Sequence, residues 1–207
     1  MLISIFVTIT AGFLVTIGLL IWQSMAQQEV VAKKHLQQIA HTEALQVSRQ
    51  LDAALTAARD VGNSAWSVRE AGLADRNGLN QLLQNYLRTH DAFLSMSLAF
   101  EPNAFDGKDT EFAAQPGTPP QGRFARFVDR DSAGNFAMHN LESIFTPGQG
   151  DYYLIPQKLQ KDVLIEPYSY AYNGVPTLLT SVAAVIMDNG QLKAVATSDI
   201  SLASLQK

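Results

Sequence analysis

The segment that decides the fold is TLLTSVAAVIMDNGQLKAVATS, residues 177–198. Two runs rich in β-branched and small apolar residues flank Asp188-Asn189-Gly190. Asn-Gly between such runs is the strongest short-range signal for a β-hairpin. We therefore predict that the strands 177–187 and 192–198 are antiparallel neighbours.

Upstream of this hairpin, further segments alternate with the period of two that is typical of strands. In FLSMSLAF, Leu94, Met96 and Leu98 share one face while Ser95 and Ser97 share the other. The remaining candidates are 124–129, 136–140 and 164–171, and the last of these contains Pro167 and is expected at an edge or a bulge. With helical segments before the strands, the fold class is α+β, with a mainly antiparallel sheet of about five strands.

Two helices are predicted before the sheet. From Glu29 to about Arg69 the chain has no proline, and its apolar residues recur at steps of three and four. We predict a long stalk helix over 29–70 that packs against a second copy in a homodimer. The alternative is an ordinary helix packed on its own domain. A second helix is expected over Leu79–His90, capped by Asp75 or Asn77.

The first 28 residues carry no charged side chain, and Leu2–Trp22 is an apolar run of 21 residues. About 20 apolar residues cross the hydrocarbon core of a bilayer, so 1–28 is predicted to be an uncleaved membrane anchor. A signal peptide cleaved near Ser24-Met25-Ala26 is one alternative. A type IV pilin is another, although pilins carry glutamate at the fifth mature position, where this chain has Ile5. The predicted domains are the anchor 1–28, the stalk 29–70 and a globular part 71–207.

Composition and motifs exclude several functional classes. The net charge is −4, without the basic stripe of a nucleic-acid-binding protein. The absence of cysteine excludes disulfide scaffolds and thiolate zinc sites. The four histidines are scattered, and the sequence contains no HExxH, GxSxG, P-loop or GxGxxG motif. We predict neither an enzyme nor a metal or cofactor site.

Residues 91–202 resemble the extracytoplasmic dCache (double Cache, PAS-like) sensor domains of bacterial methyl-accepting chemotaxis receptors. The resemblance rests on the order of several short motifs: Tyr152-Tyr153 with Pro156, Pro167-Tyr168, Thr180-Ser181, and the closing Asp199–Leu202. It implies that 71–207 is the membrane-distal ligand-binding module of two, with the second module truncated. It also implies a sensor domain in the periplasm, anchored in the bacterial inner membrane.

The resemblance also bears on the ligand. In amino-acid-sensing members, an arginine two residues before the aromatic pair binds the ligand carboxylate, and an acid follows the Pro-Tyr tyrosine by two positions. Gly150 and Tyr170 stand at those positions here, whereas the aspartate that pairs with the ligand amine is retained as Asp199. We therefore expect a cationic ligand such as a biogenic amine, a polyamine or a quaternary ammonium compound; an amino acid or a purine stays open.

The candidate ligand-binding residues are mostly aromatic and acidic, since tyrosine faces attract cations and a carboxylate pairs with an ammonium group. They are Asp151, Tyr152, Tyr153, Tyr168, Tyr170 and Asp199, with Arg126 as a candidate for an anionic group. The tyrosines could instead be packing residues, and Arg126 a solvated charge on a strand. We predict the ligand-sensing portion of a transmembrane chemoreceptor that signals through helix displacement. A sensor histidine kinase, a diguanylate cyclase and a pilin-like structural protein are the alternatives.

Overall fold

A computed structural model of the chain describes residues 2–113, 115, 118–119, 121–131 and 133–205, apart from the side chains of 2–11, 15, 26, 29 and 30. Four helices and seven strands are present in these residues. The helices are α1 (Leu2–Glu70), α2 (Arg76–Thr89), α3 (Asp109–Phe112) and α4 (Asp151–Leu159). The strands are β1 (Ser95–Phe100), β2 (Ala125–Arg130), β3 (Phe136–Asn140), β4 (Val163–Leu164), β5 (Tyr168–Tyr172), β6 (Val175–Asp188) and β7 (Gln191–Ser201).

The chain consists of two compact units, and the boundary between them lies between Gln46 and Val47. In the first unit the described side chains of α1 are mostly exposed, including Val31, Leu36 and Ile39. In the predicted anchor, 1–28, the side chains of 1–11, 15 and 26 lie outside the described residues. Among the helices of the described part, none combines the length and the hydropathy needed to span a bilayer.

The second unit is built on one antiparallel sheet with the order β3-β2-β1-β7-β6-β4, and β5 pairs with β6 outside this path. Because side chains alternate along a strand, the sheet has two faces. We call the face that carries Met96, Leu98 and Ala196 the back face, and the face that carries Ser95, Ser97 and Asp199 the front face.

The back face forms the main core together with α1 and α2. The C-terminal part of α1 contributes small side chains to it, including Ala54, Ala58 and Ala65. At Gly62 the helix lies so close to the sheet that an added Cβ would be 2.3 Å from Ile186 Cδ1. This part of the predicted stalk stripe therefore packs on its own domain, as the alternative interpretation held. The apolar positions Leu36 and Ile39 are exposed, and a homodimer contact through them stays a prediction.

Helix α2 covers the other part of the back face. Its buried side chains, Leu79, Leu83 and Leu87, recur at steps of four. Asp75 is the N-cap, since its carboxylate accepts the backbone N–H groups of Asn77 (3.1 Å) and Gly78 (3.0 Å). The predicted helix and one of its two candidate caps are thus confirmed.

An ion cluster fixes the long connection between β1 and β2. The Arg76 guanidinium, on the first residue of α2, donates to both carboxylate oxygens of Asp106 (2.7 and 2.9 Å) and to Asp109 (2.9 Å). It also donates to the Gly122 carbonyl (2.6 Å) and lies over the Phe112 ring. This cluster holds the loop against the start of α2.

The fold differs from the prediction in two respects. The sheet has seven strands rather than about five: each of the six segments named from the sequence contains a strand, and the candidate 164–171 splits into β4 and β5 on either side of Ile165–Pro167. Helix α4 was not predicted, and it contains Pro156. The α+β class and the antiparallel pairing are confirmed.

Candidate functional site

The front face carries a cavity of about 740 Å³. Its floor is the sheet, and its walls are the first turn of α4, strand β5 and the segment after β3. The principal polar and aromatic lining residues are Ser95, Phe127, His139, Glu142, Tyr152, Tyr168, Tyr170 and Asp199. Four of the residues predicted from sequence, Tyr152, Tyr168, Tyr170 and Asp199, are thus brought together in one place.

Asp199 lies at the centre of the floor. Its register partners are Ser95 on β1 and Ser181 on β6, so the carboxylate has a serine on each side. The Ser95 hydroxyl donates to Oδ2. Oδ1 is shielded from solvent and has no hydrogen-bond partner in the described part of the chain. This oxygen is an unused acceptor in the floor of the cavity.

Burial raises the pKa of Asp199 above the usual range of an aspartate, and the two serine hydroxyls only partly oppose this effect. A buried carboxylate without a cationic partner is costly to ionise. A ligand that brings a positive charge to Oδ1 would therefore find both an unfilled acceptor and a carboxylate that gains from a counter-charge.

Three tyrosines stand around Asp199. The Tyr168 hydroxyl is 2.8 Å from Ser181 Oγ, which connects the base of β5 to the floor. Burial raises the pKa of Tyr152 to about 12, and it also raises the pKa of Tyr168 and of Tyr170; the charge of Asp199 adds to the effect in all three. All three phenols are consequently neutral near pH 7, and all three residues line the cavity.

The other side of the cavity is formed by Phe127 and His139. Their rings stack with centroids 4.8 Å apart, and His139 Nε2 lies 3.1 Å from Asp129 Oδ1. Ser95, Phe127, His139 and Glu142 were not predicted as site residues. The serine alternation in β1 was a signal for Ser95, whereas the meeting of Phe127 with His139 depends on a strand register that the sequence does not reveal.

The structure places Tyr153 and Asp151 outside the cavity. Tyr153 is 1% exposed and points away from it, where its hydroxyl accepts from Arg123 (2.6 Å) and bonds to Glu101. The Asp151 carboxylate accepts the N–H of Gly148 (2.8 Å) and so closes the turn before α4. Both side chains hold α4 and its preceding loop in place.

Arg126 is on the back face, opposite to the cavity. Its register partner on β1 is Leu98, which belongs to the core beneath α1 and α2. Burial lowers the pKa of Arg126, consistent with a position near that core. We therefore do not include Arg126 in the site.

Gly150, the residue just before α4, is closely surrounded by backbone. A Cβ added there would lie 2.5 Å from the carbonyl oxygens of both Ser143 and Ile144. The position where the resemblance would require a carboxylate-binding arginine therefore has no room for a side chain while the loop is in this conformation.

Comparisons with known proteins agree with this architecture. The sequence model of the methyl-accepting chemotaxis protein-like, first PDC sensor domain matches residues 79–207. The methyl-accepting chemotaxis protein TlpQ of Pseudomonas aeruginosa is 27% identical over 142 residues, which cover 63% of this chain and 20% of TlpQ. The chain thus spans about a fifth of the length of this curated relative.

Two solved structures are similar in both fold and sequence. The extracellular domain of the putative histidine kinase mmHK1S-Z3 is 31% identical with a TM-score of 0.65, over 76% of this chain and 54% of that one. A protein described as methyl-accepting chemotaxis protein X is 30% identical with a TM-score of 0.62, over 84% of this chain and 62% of that one. The family match extends over more than half of the chain and includes every strand that forms the cavity. The chain belongs to the family of methyl-accepting chemotaxis protein-like first PDC sensor domains.

Proposed function

We propose that this chain is the extracytoplasmic ligand-binding portion of a transmembrane chemoreceptor and that its ligand is a small cationic amine. The observation that carries the proposal is Asp199 Oδ1, an acceptor that is buried in the floor of an aromatic cavity and has no hydrogen-bond partner among the described residues. An ammonium group at this oxygen would form a charge-assisted hydrogen bond, which is stronger than a neutral one.

The remaining lining residues suit a cation better than an anion. Tyrosine and phenylalanine faces attract cations by roughly 0.5–2 kcal/mol each, depending on desolvation. Glu142 adds a second carboxylate to the lining, and the described lining residues include neither lysine nor arginine. A ligand carboxylate would meet acidic side chains on this wall and would lack a partner at Gly150.

Signalling would use the opposite face of the same sheet. Strands β6 and β7 carry Ser181 and Asp199 on the front face, and Ile186 and Ala196 of these strands pack on α1 near Gly62. We infer that ligand binding shifts α1 relative to the sheet, which requires the ligand to bind two arrangements with different affinities. A membrane anchor at 1–28 and a homodimer through the exposed part of α1 belong to the same proposal.

A second candidate is the input domain of a sensor histidine kinase. The similarity to a putative histidine kinase, at 31% identity, matches that to a chemoreceptor, at 30%. A diguanylate cyclase is a further candidate with the same kind of input. The output domain of the receptor distinguishes the three candidates, because each kind of output domain has its own sequence motifs.

Isothermal titration of the purified chain with putrescine, histamine and choline tests the ligand class, with succinate as the anionic comparison. We expect at least one of the three cations to bind and succinate to show no heat of binding. Tight binding of succinate together with no binding of any of the cations would overturn the proposal.

A further inference from the structure

The wall of the cavity formed by β5 is held in place mainly at its two ends. Strand β5 has only β6 as a neighbour in the described sheet. Between Ser169 and Leu178, all residues of this hairpin are exposed except Tyr172 and Thr177. The hairpin therefore has little core of its own and depends on a few specific contacts.

One contact is at the base of the hairpin and the other at its tip. At the base, the Tyr168 hydroxyl is 2.8 Å from Ser181. At the tip, Asn173 and Gly174 have φ values of 51° and 76°, the left-handed conformations of a tight two-residue turn. Tyr172 directly precedes this turn, so its side chain extends from a rigid part of the hairpin.

The Tyr172 hydroxyl bonds to the backbone at the ends of two sheet strands. The hydroxyl donates to the Arg130 carbonyl (2.7 Å) and accepts a hydrogen bond from the Arg130 backbone N–H (3.3 Å). The Leu94 carbonyl, 3.2 Å away, is a second acceptor within reach of the same hydroxyl. The Asn173 side-chain amide donates to the same Arg130 carbonyl (2.9 Å). The tip of the hairpin is thereby fastened across the front face to the end of β2.

Arg130 continues this connection to the other side of the sheet. Its guanidinium donates to the carbonyls of Leu87 and His90 (3.3 Å for the latter) at the C-terminal end of α2. It also pairs with Asp91 (3.0 Å). One residue therefore binds the hairpin through its backbone and α2 through its side chain.

We propose that Tyr172 is a positioning residue for the ligand site: its hydroxyl latches the β5–β6 hairpin closed over the cavity and, through Arg130, ties that wall to the end of α2. The proposal rests on the function proposed above. Release of the latch would let Ser169, Tyr170 and Ala171 move away from the floor as a unit, because the β5–β6 pairing stays intact. Ligand entry and exit would follow this opening.

Spin-label distances in the ligand-free protein test the latch. The native chain has no cysteine, so a Gln81→Cys/Val175→Cys background places one label on α2 and one near the hairpin tip. We expect one main, narrow distance in this background, with a minor fraction at longer distance. Tyr172→Phe removes the hydroxyl alone, and we expect the fraction at longer distance to rise about five- to ten-fold, as for the loss of one or two hydrogen bonds.

Two further variants make the result specific. Asn173→Gly keeps the left-handed turn but loses the side-chain amide, and we expect a smaller rise in the same direction. Tyr86→Phe on α2 is the matched control and should leave the distribution unchanged. A Tyr172→Phe distribution that coincides with the background, or an equal rise in Tyr86→Phe, would overturn the latch. No ligand is present, so this outcome is independent of the amine titration.

Discussion

Tyr153→Phe separates a structural tyrosine from a ligand-binding one. The Tyr153 hydroxyl joins three side chains in a buried network: Arg123 (2.6 Å), Gln157 (2.9 Å) and Glu101. Removing it leaves each charged partner with another bond, since Arg123 Nε still donates to the Phe100 carbonyl (2.9 Å) and Glu101 still accepts from Gln157 (3.0 Å). The variant therefore loses hydrogen bonds, but neither charged side chain is left without a hydrogen-bond partner.

The size of the effect follows from these contacts. Hydrogen bonds to charged groups contribute about 1.5–3 kcal/mol, so with the partners still bonded we expect a loss of about 2–3 kcal/mol in the free energy of unfolding. For a unit of this size, that corresponds to a melting temperature lower by about 5–10 °C.

Thermal unfolding followed by circular dichroism measures this loss, with Tyr152→Phe on the same helix as the control. Tyr152 is only partly buried, and we expect its variant to change the melting temperature by no more than about 3 °C. At a temperature where both variants are folded, Tyr153→Phe should keep the ligand affinity of the native chain. An unchanged melting temperature combined with lost affinity would refute the reasoning and return Tyr153 to the ligand-binding residues.

Three further changes test other parts of the structure. Asp199→Asn should stabilise the ligand-free protein by about 1 kcal/mol near pH 8, because it removes a carboxylate that is costly to ionise. Since burial raises the folded-state pKa of Asp199, the contribution of this residue to stability falls as pH rises above about 4, and the difference between the variant and the native chain should vanish below that pH in melting curves. Gly122→Ala would bring a Cβ to 1.7 Å from the Asp109 carbonyl at a φ of +71°, so we expect a loss of more than about 3 kcal/mol in urea unfolding, and a loss below 1 kcal/mol would contradict the described loop. Leu83→Ala empties a fully buried position on α2 and should cost about 2–5 kcal/mol in the same assay, whereas Leu73→Ala, at a 70% exposed leucine, should cost little.

Much of the fold could be predicted from local patterns. The Asn189-Gly190 turn has φ values of 51° and 73°, as the sequence signal requires, and β6 and β7 pair around it. The period of α2 and its cap were equally visible. Helix α4 was not, because a segment of nine residues with an internal proline has too few turns to show a helical period.

The site was predictable in composition but not in arrangement. Tyr152 and Tyr153 are adjacent on a helix and so point in directions about 100° apart, and in the structure only Tyr152 lines the cavity. Which one does so depends on how α4 packs on the sheet. For Arg126 a usable signal existed, since alternation in β2 places it on the side of Phe124 and Val128, both buried. The pairing of His139 with Asp129 required the register of β2 and β3.

Proton release on ligand binding tests the central claim, the binding of a cation by Asp199, most directly. Titrating the cation that binds in the amine series into the chain at a series of pH values from about 4 to about 8, each in two buffers with different ionisation enthalpies, measures the protons exchanged. Because the pKa of Asp199 is raised in the free protein, a cation should expel a fraction of a proton, bind more tightly as pH rises, and lose at least about ten-fold in affinity in Asp199→Asn. Binding with no proton release and with equal affinity for the native chain and Asp199→Asn would contradict the account.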